Sequence, residues 1–295
     1  MIRGPAAFPP DGTATAQHSL AFPFAGSLVI PPPDHVLRAF GAPAGPPELL
    51  AGGQGRTWRC GNVVIKPVGN PAEASWLANV FEGLQVQGVR LARPIRSSDG
   101  RWVVAGWNAH RFVSGSPAAR HDEILQASNA LHTALVGVPE PRFLRDRTDL
   151  YSWADRLAWG EVEDADGRTG SGYGARKLTG LAAGRRPVDA PNQVVHGDLF
   201  GNVLFAGDAP PAIVDITPYW RPAAWAAAVI AVDALTWGDA PIEILTDWDC
   251  GADWPQLIRR ALLFRLAVSL AHPKTAPNDL VTMLSTVERI EPFLR

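Results

Sequence analysis

Cysteine is nearly missing from this 295-residue chain: Cys60 and Cys250 are the only two, far apart and with no metal-like neighbours. A disulfide framework is excluded on that count, and a reducing cytoplasm is the expected setting. Charge is also scarce. Asp, Glu, Lys and Arg make up 19% of the residues, below the usual quarter. A net charge of −2 and an isoelectric point near 6.4 give no basic footprint for nucleic acid or an anionic membrane. No apolar run reaches the roughly 18 residues of a membrane span. The longest, Pro222 to Leu235, is interrupted by Asp233. The N-terminus has one Arg and then prolines at 5, 9 and 10, which is no secretory leader. Gly-Lys-Ser and Gly-Lys-Thr do not occur, so a Walker-type phosphate loop is excluded. With 46% apolar residues, what remains is a globular, soluble chain long enough for a real core.

What is present is concentrated between Gln193 and Asp215, which reads Gln-Val-Val-His-Gly-Asp-Leu-Phe-Gly-Asn-Val-Leu-Phe, a short turn, and Ala-Ile-Val-Asp. The apolar pieces are too short for helices and are bounded by Gly, Asp and Pro, so they predict short buried strands. Asp198, Asn202 and Asp215 stand where those strands stop. Two carboxylates and an amide on rigid turns offer hard oxygen ligands for Mg2+ and a carboxylate able to take a proton. Asp and Asn are also ordinary turn formers, and a polar hairpin is the competing reading.

His196-Gly197-Asp198, then Asn202, then Asp215 thirteen positions later resembles the catalytic and metal-binding segments of the aminoglycoside phosphotransferase and choline kinase-like family, a branch of the protein-kinase-like fold. The resemblance implies Asp198 as the base facing a substrate hydroxyl, Asn202 and Asp215 as Mg2+ ligands, and His196 as a structural buttress. Two departures stand out. Four steps separate Asp198 from Asn202 where the family has five, and Asp215-Ile216-Thr217 lacks the Gly that often follows the metal-binding Asp.

The N-terminal half supplies matching parts. Gly52, Gly53 and Gly55 precede two short strands joined by Gly61-Asn62, a hairpin signal, and the second strand ends in Lys66. The glycines alone read as a turn. With Lys66 they resemble the nucleotide loop and phosphate-binding lysine of the same fold. A helix over 71–82 carries Glu73 in its first turn, the candidate clamp for Lys66, with Glu82 as its rival and simple dipole placement as the alternative. Strands are predicted over 89–95 and 101–105. The resemblance puts the adenine-reading main chain at His110, Arg111, Phe112 and Val113.

Helices are further predicted at 35–40 (capped by Asp34), from 121 to 135 with a packed His132, over 150–159, 175–183, 225–235, 254–271 and 278–291. Gly170–Gly174 follows no strand and reads as a loop. Arg221 is expected to stack on Tyr219 or Trp220, with a phosphate or substrate contact as the alternative. Between Pro222 and Ile258 there is no Lys or Arg, while six acids alternate with Trp237, Trp248 and Trp254. This is either a surface for a cationic substrate or solvated loops.

The expected fold class is α+β: a two-lobed protein-kinase-like fold with a small antiparallel-sheet N-lobe (34–114) and a larger, mainly helical C-lobe (115–295), after a surface-draped tail (1–33). The resemblance implies an ATP- or GTP-dependent, Mg2+-dependent phosphotransferase acting on a hydroxyl of a small acceptor. A catalytically inactive nucleotide-binding scaffold is the alternative. No nucleic acid or membrane partner is expected, and oligomeric state is unread.

Overall fold

The computed structural model describes residues 30–50, 55–248 and 250–295. Gly52, Gly53, Asp249 and most of the N-terminal tail, with its expected strand at 27–30, lie outside the described residues.

Helix α1 (Asp34–Ala39) opens behind Pro33, whose side chain makes no cap; Asp34 is its first residue rather than its cap, an acid at the positive end of the helix dipole. Strands β1 (Glu48–Leu49), β2 (Trp58–Cys60) and β3 (Val63–Pro67) follow. The β2–β3 hairpin turns on Gly61, at φ +60. Helix α2 (Pro71–Gly83) starts where Asn70 Oδ1 accepts the N–H groups of Ala72 and Glu73.

The predicted strand 89–95 divides into β4 (Arg90–Leu91) and β5 (Pro94–Ile95), which serve different sheets. No continuous strand occupies 101–105. Ala105 and Gly106, at φ +48 and +79, fold Val104 back onto Trp107, and the real strand is β6 (Trp107–Arg111). The first sheet is antiparallel, in order β1-β2-β3-β6-β5. Val63 and Ile65 point to one face, where they pack with Val36, Phe40, Val104 and Ala109 in a small core. Alternation sends Val64 and Lys66 to the opposite face. There they stand beside their register partners His110 and Asn108.

Next come β7 (Ser116–Pro117), α3 (His121–Ala134), α4 (Phe143–Asp146), α5 (Leu150–Trp159) and α6 (Tyr173–Ala183). Strands β8 (Asn192–His196), β9 (Val203–Ala206), β10 (Ala209–Ile213) and β11 (Pro218–Pro222) lead into α7 (Ala223–Trp237), α8 (Ile244–Asp247), α9 (Trp254–Ala271) and α10 (Pro277–Ile290). A second sheet runs β4-β10-β9-β7, and β8 pairs with β11 as a separate ribbon. In the second sheet Arg90 and Leu91 run parallel to Ala212 and Ile213, stitching the first half of the chain to the β9–β10 hairpin.

The main core belongs to the helical lobe. Residues 225–236 of α7 are buried without a break, because a helix apolar all round has no solvent face. Each fully buried Val, Leu or Ile here contributes about 1.5–3 kcal/mol. The most deeply buried charged residues of this core are Asp233 on α7 and Arg265 on α9, 1% and 2% exposed. Among the described residues no helix is long and apolar enough to cross a membrane.

Candidate active site

Strand β8 delivers His196 to the edge of the core and hands the chain to Gly197. A Cβ at Gly197 would lie 2.5 Å from the Tyr219 ring, so the chain can approach that ring only as glycine. His196 Nδ1 accepts the N–H groups of Asp198 (3.2 Å) and Thr217 (3.4 Å), tying the Asp198 and Asp215 segments together. The His196 N–H donates to His132 Nε2 at 3.0 Å, and the remaining His132 proton, on Nδ1, faces Ser128 Oγ. Burial pushes His196 down to about 4 and His132 to about 3, so both rings are neutral buttresses. His132 is thus a packed histidine with a defined task.

The loop from Asp198 to Asn202 is closed by the Asn202 N–H on the Leu199 carbonyl (2.9 Å), with Gly201 at φ +86. Asn202 Nδ2 donates to the Asp198 carbonyl at 2.7 Å and lies 3.3 Å from Asp198 Oδ2. The four-step spacing therefore still returns the amide to the carboxylate. The Asn202 carbonyl accepts the Val214 N–H (3.0 Å), which sets Asn202 beside the turn bearing Asp215.

Asp215 adopts φ +48, a left-handed conformation uncommon for a residue other than glycine. Its Oδ1 receives Lys66 Nζ at 2.6 Å. The ammonium holds the Asp215 carboxyl below the usual carboxylate range. Lys66 is one of three lysines in the chain. His110, on the same face of the first sheet, is half-buried, and desolvation pushes it down to about 3.

The other predicted positions fall as follows. Gly55 is at φ +67 ahead of β2. Glu73 makes no ion pair with Lys66 among the described residues. Burial raises its carboxyl, and Arg147 is the largest opposing charge, ahead of Lys66. Glu82 is committed to Arg96 through two 2.9 Å bonds on the surface, which removes it as the rival partner. The Arg111 and Phe112 N–H groups are spent within the protein, on Arg93 O (2.7 Å) and Asn62 O (2.8 Å). The connector that leaves the sheet begins at Val113.

Two expectations are corrected. Arg221 does not stack on Tyr219 or Trp220; it forks onto Asp155 (2.9 and 2.7 Å), reaches Glu161 (2.6 Å) and lies over Trp159. Strand β11 turns its side chain toward α5, where Asp155 and Trp159 lie, a direction set by pairing with β8 and not by the neighbouring rings. In the acidic segment, Trp248 and Trp254 are core residues, with indole N–H groups on Asp122 Oδ1 and the Leu245 carbonyl (both 2.8 Å), so they offer no cation-binding face.

Sequence reasoning missed Arg265. Its Nη2 donates to Asp198 Oδ1 at 2.9 Å, and its Nε and Nη2 fork onto Asp233. The signal was available: Arg265 is flanked by apolar residues from Ala261 to Val268, Asp233 is the one charged residue of α7, and buried charges require partners. Tyr151 on α5 lies close enough to Asp198 to feel its charge. Burial, and then the Asp198 charge, holds its phenol up at about 12, and its ring faces His272.

No family model matches the chain, and no curated protein matches it in sequence. Solved structures do match. A spectinomycin phosphotransferase in complex with ADP and spectinomycin is 12% identical, with a TM-score of 0.53 over 88% of this chain and 93% of that one. An amicoumacin kinase in complex with AMP-PNP and Ca2+ is 12% identical, with a TM-score of 0.55 over 84% and 88%. A choline kinase from Streptococcus pneumoniae is 11% identical, with a TM-score of 0.54 over 84% and 93%. The chain has the two-lobed, protein-kinase-like fold of the aminoglycoside phosphotransferases and choline kinases.

Proposed function

We propose that the protein is a nucleotide-dependent phosphotransferase whose acceptor is a hydroxyl of a small molecule. The observation that carries this reading is the 2.6 Å contact of Lys66 with Asp215, formed beside the Asp198–Asn202 loop. A cation and a cluster of oxygen ligands from the two lobes meet there, as triphosphate chemistry requires.

The donor set fits Mg2+. Asn202 turns Nδ2 to Asp198 and keeps Oδ1 available, while Asp215 gives one oxygen to Lys66 and keeps the other. One amide and one carboxylate suit a cation that retains water and completes its shell with phosphate oxygens. When bound, that ion would neutralise charge on the β- and γ-phosphates. Lys66 orients the phosphates, Gly52, Gly53 and Gly55 are assigned to contacting them, and Glu73 to holding the lysine in the nucleotide-bound state. Because the Arg111 and Phe112 amides are spent, we assign base reading to Val113–Gly115, with His110 facing the cleft.

The acceptor oxygen attacks the γ-phosphorus as the bond to the β–γ bridging oxygen breaks. The nucleoside diphosphate leaves with that electron pair, and the hydroxyl proton passes to the Asp198 carboxylate. The spectinomycin, amicoumacin and choline kinases among its structural neighbours make amino sugars and amino alcohols the first acceptors to try. Both cysteines are thiols, which suits the cytoplasm.

The test is ADP release from Mg-ATP across a panel of aminoglycosides, amino alcohols and sugars. Asp198→Asn should abolish transfer and spare nucleotide binding, whereas Asp215→Ala should weaken Mg2+-dependent nucleotide binding itself. The short Asp198–Asn202 spacing favours a second reading, a nucleotide-binding scaffold. Thermal stabilisation by Mg-ATP without ADP release to any acceptor would establish it.

A further inference from the structure

We infer that Arg265 is a positioning residue for the base, fixing the rotation of the Asp198 carboxylate from beneath. This rests on the phosphotransferase reading above. Arg265 lies in mid-α9 with 2% of its side chain exposed, against 23% for Asp198, so the contact comes from the buried side and the opposite face of the carboxylate is the open one. Its Nη2 carries two hydrogens. One goes to Asp233 on α7 and the other to Asp198 Oδ1 at 2.9 Å. Nε closes the fork on Asp233 Oδ1 at 2.7 Å.

Pairing with Asp233 alone would neutralise a buried arginine, and it needs no third partner. The second Nη2 hydrogen instead reaches into the catalytic loop. A planar guanidinium locked on Asp233 has no torsional freedom left, so it presents that hydrogen along one fixed line. Asp198 Oδ1 must sit on that line. Asn202 Nδ2, 3.3 Å from Oδ2, bounds the other edge. The carboxylate is thereby held between Arg265 at Oδ1 and Asn202 at Oδ2. A base fixed in this way meets the hydroxyl without first searching its own rotamers.

Arg265→Lys separates positioning from bulk stability. It keeps the charge, but a single ammonium cannot make the planar fork. The assay is ADP release from Mg-ATP, with water as acceptor and with any acceptor the panel returns. We expect kcat to fall about a hundredfold, the usual cost of misplacing a catalytic group by an ångström, with KM for Mg-ATP and the Mg-ATP-induced rise in melting temperature kept. Guanidinium ion should restore part of the turnover of Arg265→Gly. A merely structural role would lower the melting temperature and leave kcat alone.

If Arg265→Lys does not fold, the neutral pair Arg265→Gln with Asp233→Asn removes the same hydrogen without leaving a buried charge, and the same loss of kcat is expected. Turnover within threefold of wild type in either folded variant, while Asp198→Asn is inactive, overturns the inference and leaves the phosphotransferase reading intact. Wild-type protein that releases no ADP with water or any acceptor overturns both.

Discussion

Lys66 Nζ and Asp215 Oδ1 lie 2.6 Å apart although 149 positions separate them in the chain. The pair is about a third exposed on each side, 30% and 36%, so water screens it, and such pairs contribute about 0–1 kcal/mol to stability. Its cost when lost should therefore fall on nucleotide handling. Lys66→Met is expected to lower kcat/KM for Mg-ATP by about a hundredfold or more. Its melting temperature should stay within a few degrees of wild type. Titration calorimetry and differential scanning calorimetry check the two halves separately. A large stability loss with unchanged nucleotide affinity would reverse the assignment.

The histidine buttress predicts an acid-sensitive fold. His132 and His196 titrate at about 3 and 4 in the folded state because burial disfavours the charged ring. The unfolded chain takes up those protons near pH 6.5. The stability each contributes is therefore complete above pH 6.5 and lost as pH falls below it. His132→Gln, which can still accept the His196 N–H, removes one such proton uptake. The stability gap between wild type and variant should close by about 2 kcal/mol between pH 7.5 and pH 5. Denaturant midpoints at the two pH values measure it, and a constant gap would exclude proton linkage at His132.

Around Arg221, burial decides which partner matters. The Asp155 side chain is 9% exposed and Glu161 is 46% exposed. Asp155→Asn leaves a buried guanidinium without its counter-charge and should cost about 3 kcal/mol or more. Glu161→Gln should cost under about 1 kcal/mol. Urea titrations of the two variants would show the contrast, and equal losses would refute it.

The parts that repeat a short-range rule were legible in the sequence. Asn70-Pro71 opened α2 where its cap chemistry required, and 254–271 gave α9 residue for residue. The Gly61 turn and Lys66 followed from alternation and strand length. What stayed hidden depends on tertiary partners. Val104 folds back on Trp107 through positive φ at Ala105, a conformation that no propensity for alanine announces. Pro218–Pro222 forms strand β11 because β8 lies alongside to pair with it. Arg265 finds Asp198 across 67 positions, and only the packing of α7 against α9 brings them together. Glu73 was legible as an acid at a helix start, but its proximity to Arg147 was not.

Gly197 presses on Tyr219, and Tyr219 packs edge-on to both Trp225 and Phe264. The backbone at the head of the Asp198–Asn202 loop is thus bolted to α7 and α9 through two rings. Deuterium should enter the amides of His196 and Asp198 only when the whole helical lobe opens. The candidate site would then be among the slowest-exchanging parts of the molecule, and any change in what it binds would have to come from α5 and the chain after α9 while leaving that floor untouched.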